Sequence, residues 1–217
     1  MRIFALLKAS AAILAAAFVS AGLASAHPHV WVNVETEVVT GPNQEITGFR
    51  HKWTFDEMYS EFAVQGLDTN GDGVYSEEEL RPLAQTNVEA LKEFEYFTFA
   101  FLGKDKLALK DPTADYRLEY KNKLLTLYFT LPLATPVPRD KIKQFSFAIY
   151  DPGMYVAMNF DKKAPVKIAS AKPLPCRAHV GDRPSAQDAN LAQLGENIDP
   201  ASNLGLQFAE RVTIDCK

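Results

Sequence analysis

The residues best placed to do chemistry lie in one run, Asp68-Thr69-Asn70-Gly71-Asp72-Gly73-Val74-Tyr75-Ser76-Glu77-Glu78-Glu79. Its spacing matches the calcium-binding loop of an EF-hand. Asp68, Asn70 and Asp72 offer side-chain oxygens at the first, third and fifth loop positions. Gly73 supplies the sharp turn, Val74 a backbone carbonyl, and Ser76 an oxygen or a bridging water. Glu79 closes the loop with a carboxylate able to bind through both oxygens. These donors are all hard oxygens, without sulfur or imidazole. Ca²⁺ is therefore expected, rather than zinc, copper or nickel.

Two helices must hold such a loop. Before it, Thr54-Phe55-Asp56-Glu57 reads as a capping box, with Thr54 as N-cap and Trp53 and Met58 as the hydrophobic staple. Phe55, Met58, Tyr59, Phe62 and Leu67 fall on one helical face. After the loop, Ser76 and Glu79 form a second capping box. Leu80, Leu83, Ala84, Asn87, Leu91 and Phe94 continue at helical spacing, and Pro82 predicts a bend. Sensor EF-hands work in pairs, and no second loop occurs in the chain. The expected role of calcium is structural: it sets the geometry of something nearby.

The other candidate chemistry is at the start. Residues 1–26 read as a secretory signal peptide, with Arg2 and Lys8 before an apolar run and Ala24-Ser25-Ala26 as the cleavage site. A retained N-terminal anchor is the alternative. Cleavage would leave roughly 190 residues, ample for one domain with a core. It would also make the net charge of −4 more negative by two. An acidic chain without a basic run argues against nucleic acid as a partner. The mature chain would begin His27-Pro28-His29. Pro28 has no amide proton, which excludes the square-planar amino-terminal copper/nickel motif. A histidine brace from His27 and the new amine needs a third nitrogen. His29 and His51 are the candidates for a second site, for Ni, Co, Zn or Cu. The alternative is a pair of exposed histidines at a loose terminus.

The positioning elements are mostly strands. Val30, Val32, Val34, Thr36 and Val38 alternate with Trp31, Asn33, Glu35 and Glu37. A two-residue loop in Gly41-Pro42-Asn43-Gln44 would return the chain with Val34 opposite His51, placing His51 on the core face. Hairpins are expected around Gly103-Lys104 and Lys121-Asn122-Lys123. Residues 131–139, with three prolines, read as an extended connector. A strand–turn–strand is expected around Asp151-Pro152-Gly153, and a last strand at 166–172. The expected fold is α+β. A mainly antiparallel, β-sandwich-like domain at 27–172 carries the EF-hand insert at 54–95. The tail at 173–217 holds both cysteines, with a short helix at 185–194 and a strand at 211–216. Cys176 and Cys216 most simply form a disulfide in an exported chain. Closing about 40 residues would stabilise by roughly 4 kcal/mol on the loop-entropy model. Cys176-Arg177-Ala178-His179 could otherwise be half a zinc site.

Several stretches together resemble one family. They are His27-Pro28-His29-Val30-Trp31-Val32, Trp53-Thr54-Phe55-Asp56-Glu57 before a single calcium loop, and Glu93-Phe94-Glu95-Tyr96-Phe97-Thr98. Tyr150-Asp151-Pro152-Gly153-Met154-Tyr155-Val156-Ala157 and the Cys after the last strand complete the likeness. The chain resembles domain-of-unknown-function family 1007 over essentially its whole mature length. The resemblance implies a periplasmic component of an uncharacterised ABC-type transport system. Its members are often encoded beside nickel/cobalt exporters or other metal permeases. It therefore implies a membrane transporter or permease as partner.

Two non-enzymatic readings follow. One is an exported, calcium-binding accessory protein of a metal or ABC-type transport system. The other is a calcium-stabilised extracytoplasmic interaction domain that binds no transported metal. No nucleophile elbow, zincin helix or phosphate loop occurs, so an enzyme is not expected.

Overall fold

The computed structural model describes residues 28–182, 205 and 209–216. The expected signal peptide, His27 and the expected helix at 185–194 lie outside the described residues. Two sheets face each other. The first has the order β5-β6-β2-β1-β8, built from β1 (Val30–Thr40), β2 (Ile46–Phe55), β5 (Arg117–Lys121), β6 (Leu124–Val137) and β8 (Val156–Phe160). A further strand, β9 (Val166–Ala169), also pairs with β1. The second has the order β10-β11-β7-β3-β4. Its strands are β3 (Thr98–Leu102), β4 (Asp105–Leu107), β7 (Phe145–Ile149), β10 (Cys176–Val180) and β11 (Arg211–Cys216). Pairing is antiparallel except where β8 and β9 run parallel to β1. The chain is thus mainly β, in two antiparallel-rich sheets, with Cys176 bonded to Cys216. The disulfide removes Cys176 as a zinc ligand and fits an oxidising, extracytoplasmic compartment. Among the described residues no helix is long and apolar enough to cross a membrane.

The alternation in β1 is as expected. Val30, Val32, Val34, Thr36 and Val38 are buried, and Trp31 and Asn33 are exposed. The register differs from the two-residue reading. Thr36 faces His51 and Val34 faces Trp53, because the turn closes between Gly41 and Glu45 and the ladder shifts between Val39 and Thr40. The slip is even, so His51 keeps its predicted side, the core.

Three further expectations change. Residues 131–137 are the second half of β6, not a connector. Pro132 lies opposite Gly48, at an irregularity in the β2–β6 ladder. A Cβ on Gly48 would stand 2.4 Å from the Leu131 carbonyl oxygen, so only glycine fits against this backbone. The turn at Asp151 does not make a hairpin. It carries the chain from β7 in one sheet to β8 in the other. The C-terminal segment is not a separate tail, since β11 pairs with both β7 and β10.

Between β2 and β3 the chain forms two helices, α1 (Glu57–Ala63) and α2 (Glu77–Leu91). Thr54 is not the N-cap of α1; it still pairs within β2. Asp56 caps instead, its Oδ1 accepting from Tyr59 N at 2.9 Å. Asp56 also accepts the Trp31 amide through Oδ2, tying the helix start to β1. The staple is absent as well: Trp53 is buried in the core, whereas Met58 and Phe62 are about 70% exposed. At the end of α1, Gly66 takes a positive φ of 77°, and the helix stops before Leu67. The capping box at Ser76 and Glu79 forms as expected. The helix after it runs unbroken through Pro82 to Leu91, burying Leu80, Ala84 and Val88. Phe94 lies beyond it, half exposed.

Candidate functional site

The calcium-type loop joins α1 to α2. Its first carboxylate, Asp68, accepts from Gly71 N at 2.8 Å, Asp72 N at 3.2 Å and Gly73 N at 3.0 Å. Asn70 Oδ1 accepts from Asp72 N at 2.9 Å, and Asp72 Oδ1 from Val74 N at 2.7 Å. These bonds tie the side-chain oxygens to the loop's own backbone amides. Gly71 and Gly73 make this curvature possible at φ values of 73° and 78°. Glu79 reaches across from α2. Its Oε1 accepts from the Thr69 amide and hydroxyl, and its Oε2 from those of Ser76, all at 2.8–2.9 Å. The Ser76 bonds first, and then those from Thr69, hold the Glu79 carboxyl down to about 2.

The residue types fit a hard cation. Asp68, Asn70, Asp72, Ser76 and Glu79 supply side-chain oxygens, and Val74 a carbonyl. Among the described residues, no three His, Cys, Asp or Glu side chains gather into a metal cluster. The donor set of this loop is mixed: an amide, a hydroxyl and a carbonyl stand beside three acids. Tyr75, at the position through which paired hands join, packs on Tyr120 of β5 with ring centroids 4.9 Å apart. Lys123 bridges Glu57 and Glu61 of α1. The β body thus contacts the loop where a second hand would.

His29 and His51 do not form one site. His51 is fully buried, with Phe49, Trp53 and Phe129 against its ring. Thr98 Oγ1 donates to the Tyr96 carbonyl, so toward His51 it acts as acceptor, and Nε2–H donates to it at 3.4 Å. Nδ1 is left to accept from Thr36 Oγ1 at 3.0 Å. Both ring nitrogens are taken, which removes His51 as the third metal nitrogen. Burial pushes it down to about 3, so it is neutral. This bond from β2 to Thr98 clips the two sheets together. His29 lies elsewhere, with its ring 4.7 Å from that of Tyr155.

One feature escaped the sequence reading. A largely apolar cavity of about 420 Å³ opens between the first sheet and both helices. Val30, Trp53, Tyr59, Leu91, Phe97 and Met158 are among its walls. Every stretch that carried the resemblance, apart from the terminal Cys, contributes to it: Val30 and Val32, Trp53 and Phe55, Phe94 and Phe97, Asp151 and Val156. Beside the cavity, Glu95, Tyr96 and Phe97 hold positive φ values of 52°, 55° and 48°. Such a run costs non-glycine residues on the order of 1 kcal/mol each. It is braced by Tyr96 Oη donating to Asp111 at 2.8 Å and Tyr150 N donating to the Phe97 carbonyl at 2.9 Å. Burial, then the Asp111 bond, pushes the Tyr96 phenol up to about 12.

These features define a disulfide-closed, two-sheet β protein with a helix–loop–helix insert and an apolar cavity. The chain belongs to the family described as "Protein of unknown function (DUF1007)", which it matches over residues 12–216. It is similar to an "Uncharacterized protein" of Haemophilus influenzae, 28% identical over 211 residues that cover 94% of this chain and 98% of the relative. It is also similar to an "Uncharacterized 15.5 kDa protein in trpE 3'region" of Spirochaeta aurantia. That match is 31% identical over 105 residues, covering 48% of this chain and 73% of the relative.

Proposed function

We propose that the protein is an exported, periplasmic accessory component of a membrane transport system, braced by one Ca²⁺ in an EF-hand loop. The carrying observation is that the loop's side-chain oxygens are bonded to its own backbone amides. Asp68, Asn70 and Asp72 are held by the amides of residues 71–74, and Glu79 is drawn across to Thr69. Asp68, Asn70, Asp72, Val74, Ser76 and Glu79 would hold the ion. Calcium would then fix the spacing of α1 and α2, which supply Tyr59 and Leu91 to the cavity. Docking to a permease is supported by the exposed apolar side chains of Met58 and Phe62 on α1. The family resemblance is what names a permease as the partner.

Calcium that binds only the folded state raises the melting temperature. Extracytoplasmic hands bind with Kd of roughly 10⁻⁴ to 10⁻³ M, so millimolar calcium is the titrant. The wild-type protein should melt higher with calcium, and Glu79→Gln should not. A Glu79→Gln protein that gains the full increase would refute the site.

The second reading, an interaction domain without a transported metal, is favoured by one observation: both nitrogens of His51 are engaged. Native mass spectrometry of the protein with Ca²⁺, Ni²⁺, Co²⁺, Zn²⁺ or Cu²⁺ separates the readings. A second ion lost on replacing His27 and His29 points to metal handling. Calcium alone points to an interaction domain.

A further inference from the structure

Two buried side-chain nitrogens have no hydrogen-bond partner among the described residues: Trp53 Nε1 and Asn87 Nδ2. Both residues line the apolar cavity. An orphaned buried donor is a standing cost, and two at one cavity call for a common explanation. Trp53 is fixed there by the core. It is 1% exposed, with Phe129 edge-on at 4.8 Å and His51 at 5.5 Å. Asn87 sits on α2, facing the same cavity.

The chemistry of the walls limits the occupant. The volume, about 420 Å³, lies in the range of small-molecule pockets. Among the described residues, Asp151 is the only charged one lining it. Its carboxylate accepts from Gly153 N at 2.8 Å and Val156 N at 2.9 Å. With no cation among the described residues of the wall, an anionic ligand would meet like charge there. Phe94 and Tyr155, each about half exposed, stand at the mouth. The left-handed run at Glu95–Phe97 sets the position of Phe97.

We propose that this cavity binds a neutral, largely apolar small molecule carrying a hydrogen-bond acceptor such as a carbonyl, held by the donors of Trp53 and Asn87. The site uses none of the calcium ligands and stands independently of that reading.

The test compares two probes of similar size, hexanophenone and hexylbenzene, only the first of which has an acceptor. The chain has two tryptophans, Trp31 and Trp53, so nitrogen-proton spectra contain two indole signals, which Trp31→Phe assigns. The ketone should move the Trp53 indole signal and bind about tenfold tighter than the hydrocarbon, as one recovered hydrogen bond implies. Asn87→Leu should shrink that preference. Ala90→Trp, at an exposed position on the cavity wall, should weaken both probes at least tenfold. The proposal falls if neither probe binds. It falls equally if both bind alike with the Trp53 signal unmoved, or if Ala90→Trp changes nothing. The indole readout needs no core substitution, so it decides even if a variant misfolds.

Discussion

Acidification offers a measurement of the buried clip at His51. In the fold its ring is neutral and enclosed, at about 3 against an ordinary 6.5. The unfolded chain therefore takes up the proton first. The stability held in the neutral ring is complete above pH 6.5 and is lost as pH falls from 6.5 toward 3. One extra proton on the unfolded chain gives a slope of about 1.4 kcal/mol per pH unit. From pH 7 to pH 5 the loss is about 2 kcal/mol, a large share of a margin of roughly 5–15 kcal/mol. The favourably bonded carboxyls, Glu79, Asp111 and Asp161, are all shifted downward. Their contributions are lost only as pH falls through and below the carboxylate range, near 4. The interval from 7 to 5 thus lies above the range of these carboxyls. Urea titrations at pH 7, 6 and 5 should show a falling midpoint at constant slope m. His51→Gln should lower stability at pH 7 but flatten its pH dependence over this interval. Equal pH dependence in both proteins, or a His51 ring resonance titrating near pH 6.5 in the folded state, would refute the reasoning.

Two other outcomes are expected. Cys176→Ser should cost up to roughly 4 kcal/mol on the loop-entropy model for a closed loop of 40 residues, read by urea unfolding beside the reduced wild type; no loss would show the bond to be incidental. Ser60 is fully buried, its hydroxyl donating to the Asp56 carbonyl at 2.6 Å and accepting the Leu125 amide at 2.9 Å. Ser60→Ala should orphan that amide and cost about 1–3 kcal/mol, with faster hydrogen exchange at Leu125.

Local pattern was legible where one signal dominates. Alternation gave β1, the second capping box gave the start of α2, and a pair of cysteines gave the disulfide. Errors arose where two local signals competed. Thr54 and Asp56 both suit an N-cap, and the pairing of β2 with β6 through Thr54 and Thr126 decides for Asp56. The prolines of residues 132–138 argue against a strand. They are tolerated because Gly48 leaves room opposite Pro132 and the ladder is already irregular there. The cavity was illegible for another reason. Its walls come from β1, β2, α1, α2, β6, β8 and the crossing at Asp151, and no local period links them. The unpaired hydrogen of Trp53 is likewise a property of packing. A tryptophan in a hydrophobic strand reads only as core.

The crossing at Asp151 has a consequence for the order in which the molecule assembles. β1 is the first strand in the chain, yet its outer edge is covered by β8 and β9, from beyond residue 155. Contacts so far apart in sequence are slow to form, because a long loop must close before they bring any gain. Until the last third of the chain is present, that edge stays open and the core beneath Val30–Val34 is incomplete. For a chain proposed to be exported, this topology would act as a timer. Such a chain would commit to its native shape only once nearly all of it is present.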